Sequence, residues 1–252
     1  MEPPAVSAEA VPILVTRNLT KSFRRLTALK NHSVQVKRGE ILGVIGPNGS
    51  GKSTLVNCLC GTLVNEAGTV RFEGRDLAGQ SAHQRTHLGM ARSFQLPRPF
   101  ASMTVADNLK VPLLYTVNTR RRALTESEIG TRCEELLTLV GLADRSRQLP
   151  RDLTQVDMRK LELARAMATD PKLLIADEAM AGLSNSEVND IVALLIRLNE
   201  HGVTVILIEH IMRAVMSFSQ RLVVLVSGKK IADGSPDDVI RDGEVERAYL
   251  GQ

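Results

Sequence analysis

Apolar residues along this chain fall into short unbroken runs, separated by longer stretches in which they recur every three or four positions. Three runs, Ile41–Ile45, Leu173–Ala176 and Val203–Ile208, are rich in Ile, Val and Leu and end where glycine or polar residues take over. Runs that are apolar on both faces predict strands of a largely parallel sheet covered by helices on each side. Shorter segments, Ile13–Val15, Ser33–Val36 and Thr69–Phe72, give the first 75 or so residues a β-rich character, and the turn Glu73-Gly74 follows the last of them. Near the C-terminus Leu222–Val226, the turn Ser227-Gly228 and Lys230–Ala232 predict a hairpin.

From about Gln95 to Ala168 the period changes from strand to helix. Thr125 with Glu128 forms a capping-box pattern that opens a helix through Val140, stopped by Gly141. The basic run Arg120–Arg122 just before it reads as a solvated surface. An α/β chain with a helical insertion between strands of the core sheet is the simplest account.

Composition narrows the choice of partners. A net charge of +4 is too small to argue for nucleic acid, and 3% aromatic residues leave few platforms on which bases could stack. No nucleic-acid partner is expected. Cys58, Cys60 and Cys133 have no zinc-site spacing, so they read as free thiols in a reducing compartment. There is no run of 18 apolar residues, and Met1–Ala10 lacks the pattern of a secretory signal. A cytosolic location and a disordered tail over residues 1–10 are the expectations.

The chemistry begins where the first buried run ends. Gly46-Pro47-Asn48-Gly49-Ser50-Gly51-Lys52-Ser53-Thr54 follows Ile41–Ile45 directly, and Leu55–Leu63 reads as a helix. Strand, glycine-rich loop and helix is the setting of a phosphate-binding P-loop. Glycines let the backbone wrap phosphates closely and turn N–H groups inward, and the helix N-terminus adds positive potential. In that setting Lys52 reaches the β- and γ-phosphates of a nucleotide, Ser53 ligates Mg2+, and Thr54 adds a hydroxyl near the α-phosphate.

A second buried run ends in two carboxylates, Asp177 and Glu178. An acid at such a strand end needs a compensating cation. A metal beside the P-loop would supply it, so Asp177 is the candidate metal-positioning residue and Glu178 the candidate base for the attacking water. The third run leads through Glu209 to His210, placed to donate to a terminal phosphate.

Together these residues resemble the nucleotide-binding domains of ABC transporters over nearly the whole chain. The resemblance implies a P-loop NTPase (RecA-like) core with a mainly parallel sheet, an N-terminal antiparallel β subdomain and a helical subdomain inserted at about 96–168. The whole is one domain spanning 11–252. In Ser93-Phe94-Gln95, Gln95 matches the family's Q-loop glutamine, which touches Mg2+ and the attacking water and couples to membrane subunits. Phe23 matches the aromatic that stacks on adenine, although taken alone it reads as a core residue. Ala181-Gly182-Leu183-Ser184 matches the D-loop, and Ser184 with Glu187 opens a helix ending at Gly202.

Closer features resemble ATP-binding subunits of branched-chain (hydrophobic) amino-acid importers: the D-loop Ala-Gly-Leu, the segment Ile208–Val215, and Arg247-Ala-Tyr249-Leu250-Gly251. The partners implied are integral membrane permeases, a second ATP-binding subunit (identical or different) and, indirectly, a solute-binding protein. The site implied is the cytoplasmic face of the inner membrane. The family signature departs from pattern. Thr154 keeps a hydroxyl for the phosphate of the opposite subunit, but Gln155 and Val156 stand where glycines are usual, and Asp157 brings negative charge toward phosphate. The expectation is a complete hydrolytic set beside a weakened clamp.

Overall fold

A computed structural model describes residues 12–93, 97–117, 123–209 and 212–250. The expectations for residues 1–10, Gln95, Arg120–Arg122 and His210 lie outside the described residues.

The described residues form two sheets. The smaller contains β1 (Pro12–Phe23), β2 (Leu26–Lys37), β4 (Ala67–Phe72) and β5 (Arg75–Asp76), antiparallel in the order β2-β1-β4-β5. The larger contains β3 (Ile41–Ile45), β6 (Met90–Ser93), β7 (Leu173–Asp177), β8 (Thr204–Ile208), β9 (Arg221–Val226) and β10 (Lys229–Gly234). Its order is β10-β9-β3-β8-β7-β6, parallel except for the antiparallel edge β10. Helix α1 (Lys52–Cys60) follows β3, and α2 (Ala82–Leu88) precedes β6. Between β6 and β7 the elements among the described residues are helical: α3 (Val105–Pro112) running into a π-helical turn, then α4 (Glu126–Val140) and α5 (Gln155–Met167). Helices α6 (Asn185–Glu200) and α7 (Met212–Phe218) flank β8; α8 (Pro236–Ile240) and α9 (Gly243–Leu250) close the chain.

Successive residues of the central strands feed two cores. Leu42, Val44, Ile175 and Ile206 pack with the small sheet and α1, while Ile41, Ile45, Leu174 and Leu207 pack with the helices. Because both faces are apolar, in-out alternation does not fix the register of these strands. Gly43 helps to fix it: a Cβ there would lie 2.5 Å from side-chain atoms of Leu222 and Val215, so α7 can sit close only over that position.

Three segments depart from the sequence expectation. Strands β1 and β2 each run 12 residues, well beyond Ile13–Val15 and Ser33–Val36. Register shifts between Thr16 and Lys21, with Asn18 and Asn31 at positive φ, break the alternation that would have revealed them. Helix α1 starts at Lys52 and stops at Cys60, three residues before Leu63, because Gly61 turns left-handed (φ 77°) and returns its N–H to Asn57 O. The buried Arg85 then donates to Cys58 O and Leu59 O, capping that helix end with a cation. Arg85 lies on α2, whose capping box Ser81–Gln84 and terminal Gly89 were readable signals that the periodicity did not bring out.

Candidate functional site

Strand β8 pairs with both β3 and β7, with Val44 opposite Ile208 and Asp177 opposite Ile208. That register aligns the carboxyl ends of three neighbouring strands. The glycine loop, the Asp177-Glu178 pair and Glu209 therefore emerge at one edge, the edge where open α/β sheets place ligands.

The loop from Gly46 to Gly51 is shaped by what surrounds it. A Cβ at Gly46 would run into Leu225 O, and one at Gly51 into Ala28 O; Gly51 also has φ 109°. Gly228 N donates to Ser50 O at 2.9 Å, tying the loop to the turn between β9 and β10. Gly51 is the N-cap of α1, with no side-chain cap and no acidic residue in the first turn. The first-turn N–H groups thus keep their positive potential without a side-chain cap or a first-turn acid to offset it. Lys52 is buried and donates to Gly46 O at 2.7 Å and Pro47 O at 3.0 Å, so its ammonium lies inside the loop. Burial lowers the Lys52 pKa, and the charges of Glu178 and Asp177 partly offset that shift, which places both carboxylates within electrostatic reach of the loop. Ser53 is exposed and Thr54 half-buried.

Asp177 is buried, but its compensating cation comes from the chain itself. Arg92 on β6 donates to Asp177 Oδ2 at 2.6 Å and to Asn57 Oδ1 at 2.7 Å. The sequence argument assigned that compensation to a metal alone; the structure corrects it. Arg92 was missed because Met90–Ser93 is a four-residue strand with a charge in it and gives no hydrophobic run. Glu178 follows at φ 49°, a left-handed step that turns its side chain out of line with Asp177, and its N–H bonds Ile208 O. The fully buried Glu209 accepts from Met180 N at 2.9 Å, fixing the end of β8 to the segment after Glu178.

Phe23 ends β1 and is 44% exposed, with the Lys21 ammonium 5.4 Å above its ring. The core reading of Phe23 is thereby overturned. Thr154 is exposed at the N-terminus of α5. Its hydroxyl accepts from Asp157 N at 3.3 Å and donates to the Asp157 carboxylate, which also pairs with Arg145. Asp157 is therefore a buried, neutralised cap and not a bare charge, which corrects that expectation. Val156 packs against the helical core.

A largely apolar groove of about 340 Å³ opens beside the site, lined by Arg85, Arg92, Phe100, Tyr115 and Arg165 among others. Tyr115 is 70% exposed at its edge. No helix among the described residues is long and apolar enough to cross a membrane.

A glycine loop with no room for a Cβ at Gly46 or Gly51, a helix N-terminus without a side-chain cap, an internal lysine and all-oxygen donors in Ser53 and Asp177 fit a polyphosphate with a hard divalent cation. Comparisons agree with that chemistry. Residues 29–181 match the family model described as ABC transporter. The chain is 37% identical to the high-affinity branched-chain amino acid transport ATP-binding protein LivG of Salmonella typhimurium, over 96% of this chain and 98% of that one. The ATP-binding cassette MJ1267, solved in its ADP conformation, superposes with a TM-score of 0.87 at 31% identity, covering 96% of this chain and 100% of that one. The cassette MJ0796, solved as a dimer in a post-hydrolysis state bound to ADP and Pi, superposes with a TM-score of 0.78 at 25% identity, covering 88% and 98%.

Proposed function

Since the chain belongs to the ABC transporter family of ATP-binding subunits, we propose that it hydrolyses ATP to power uptake of branched-chain amino acids or a related small solute through separate membrane subunits. The observation behind this reading is the meeting of the uncapped P-loop helix with Asp177 and Glu178 at aligned strand ends.

The residues Gly46–Thr54 wrap the phosphates, and Phe23 offers its exposed face to the adenine. Ser53 and Asp177, with Gln95, would hold Mg2+, which when bound neutralises charge on the outer phosphates. Glu178 takes the proton of the attacking water, and His210 donates to the terminal phosphate. The helical stretch at about 96–168 acts as a subdomain within the unit 11–252. The groove beside Arg92 receives a permease segment at the cytoplasmic face of the inner membrane, and a solute-binding protein delivers solute from the other side. A second ATP-binding subunit supplies an intact clamp for this chain's nucleotide. Asymmetry between the two sites follows from Thr154, whose hydroxyl is already engaged by its own helix.

The test uses the assembled transporter. Lys52→Ala is expected to lose Mg-ATP binding in a titration. Glu178→Gln should bind ATP normally while turnover falls about a hundredfold or more, as expected for loss of a general base. Thr154→Ala should change turnover little. Undiminished turnover in Glu178→Gln would refute the assignment of the base, and equal loss in Glu178→Gln and Thr154→Ala would refute the asymmetry.

A further inference from the structure

The metal-positioning candidate Asp177 is only 6% exposed, and a buried carboxylate is stable only when paired. Its partner Arg92 is itself mostly buried, with a side chain 16% exposed, and is held from two directions. One guanidinium nitrogen takes Asp177 Oδ2 at 2.6 Å, and another takes Asn57 Oδ1 at 2.7 Å. Asn57 lies four residues after Ser53 on α1, so the two share one face of that helix a turn apart. The guanidinium therefore sits one turn deeper than the hydroxyl assigned to the metal, and against the carboxylate assigned to the same metal.

We propose that Arg92 is a positioning residue and built-in counter-cation. It holds the charge of Asp177 and fixes one carboxylate oxygen, so that the metal has to share Asp177 with it. The inference rests on the reading of Ser53 and Asp177 as the metal site. Its physical content is competition for one charge. With Arg92 in place, Asp177 is already compensated, and Mg2+ adds modestly to the stability of the nucleotide-bound chain. Without Arg92 only the Lys52 ammonium of the neighbouring loop remains, among the described residues, to offset Asp177, so the metal takes a larger share of that charge and its contribution rises. A residue serving only to pack β6 against β7 would lower stability equally with and without metal.

The experiment is a melting series on the full chain with ADP plus EDTA and with ADP plus Mg2+. The quantity read is the Mg2+ increment in melting temperature. Arg92→Met is expected to show an increment larger than that of the natural protein by about 4 °C or more, the scale that a 1–2 kcal/mol change reaches in a chain of this size. Arg92→Lys, which keeps the cation, should stay close to the natural value. An equal or smaller increment in Arg92→Met overturns the proposal while leaving the phosphate site standing. Absence of any ADP stabilisation in the natural protein overturns both. Should Arg92→Met fail to fold alone, the Arg92→Met/Asp177→Asn double variant is expected to fold, because no unpaired buried carboxylate remains. A double variant that also fails overturns the counter-cation role.

Discussion

Glu178 illustrates how a single residue can be held against its preference. A non-glycine residue at φ 49° costs about 1–2 kcal/mol, and the N–H bond to Ile208 O helps to keep it there. The return is a carboxylate that diverges from its neighbour Asp177. His32 shows the opposite case, a buried group with no evident role. It is 1% exposed, and neither ring nitrogen has a hydrogen-bond partner among the described residues. Burial, with help from the nearby Lys230 charge and against the pull of Asp233, lowers its pKa to about 4. Because the folded form refuses a proton that the unfolded chain accepts, its full contribution to stability is present above pH 6.5 and is lost progressively as pH falls toward 4. The loss reaches about 3 kcal/mol at most. Chemical denaturation of His32→Leu at pH 7.5 and pH 5.0 should show a smaller acid loss than the natural protein; an identical loss would rule His32 out as a source of acid sensitivity.

At the scale of elements, helix ends were the most legible feature. Thr125 with Glu128 and Ser184 with Glu187 both form complete capping boxes, and Gly141 ends α4 in the left-handed conformation. These signals are local, so tertiary context did not have to agree. Thr125→Ala is expected to cost about 1 kcal/mol in urea denaturation and to leave ADP affinity unchanged, since that cap lies in the helical stretch away from the phosphate loop. The bulged strands β1 and β2 were only partly legible, because a bulge shifts the side-chain alternation on which strand reading depends. The signature segment was legible as a motif but not in its ion pairing, since the partner of Asp157 is Arg145, 12 residues away.

For the whole molecule, the shared register of β3, β8 and β7 brings the glycine loop, the Asp177-Glu178 pair and Glu209 to one edge of the sheet. The same arrangement leaves the groove between α2, β6, α3 and α5, with Tyr115 exposed on its rim. If this groove receives the permease, Tyr115→Asp should abolish co-purification with the membrane subunits while the isolated chain binds Mg-ADP as before. Unchanged co-purification would move the docking surface elsewhere.

The sequence by itself determined the glycine loop between β3 and α1, the paired acids at the end of β7, the buried parallel strands and the helix caps at Thr125 and Ser184. Each of these is written in residues adjacent along the chain, where backbone geometry alone fixes what they can do. Tertiary structure alone decided that Arg92 neutralises Asp177, that Asp157 is paired and turned inward, and that Phe23 stands exposed. Those outcomes depend on which distant side chain reaches a charge or covers a ring, and spacing along the chain does not encode that distance.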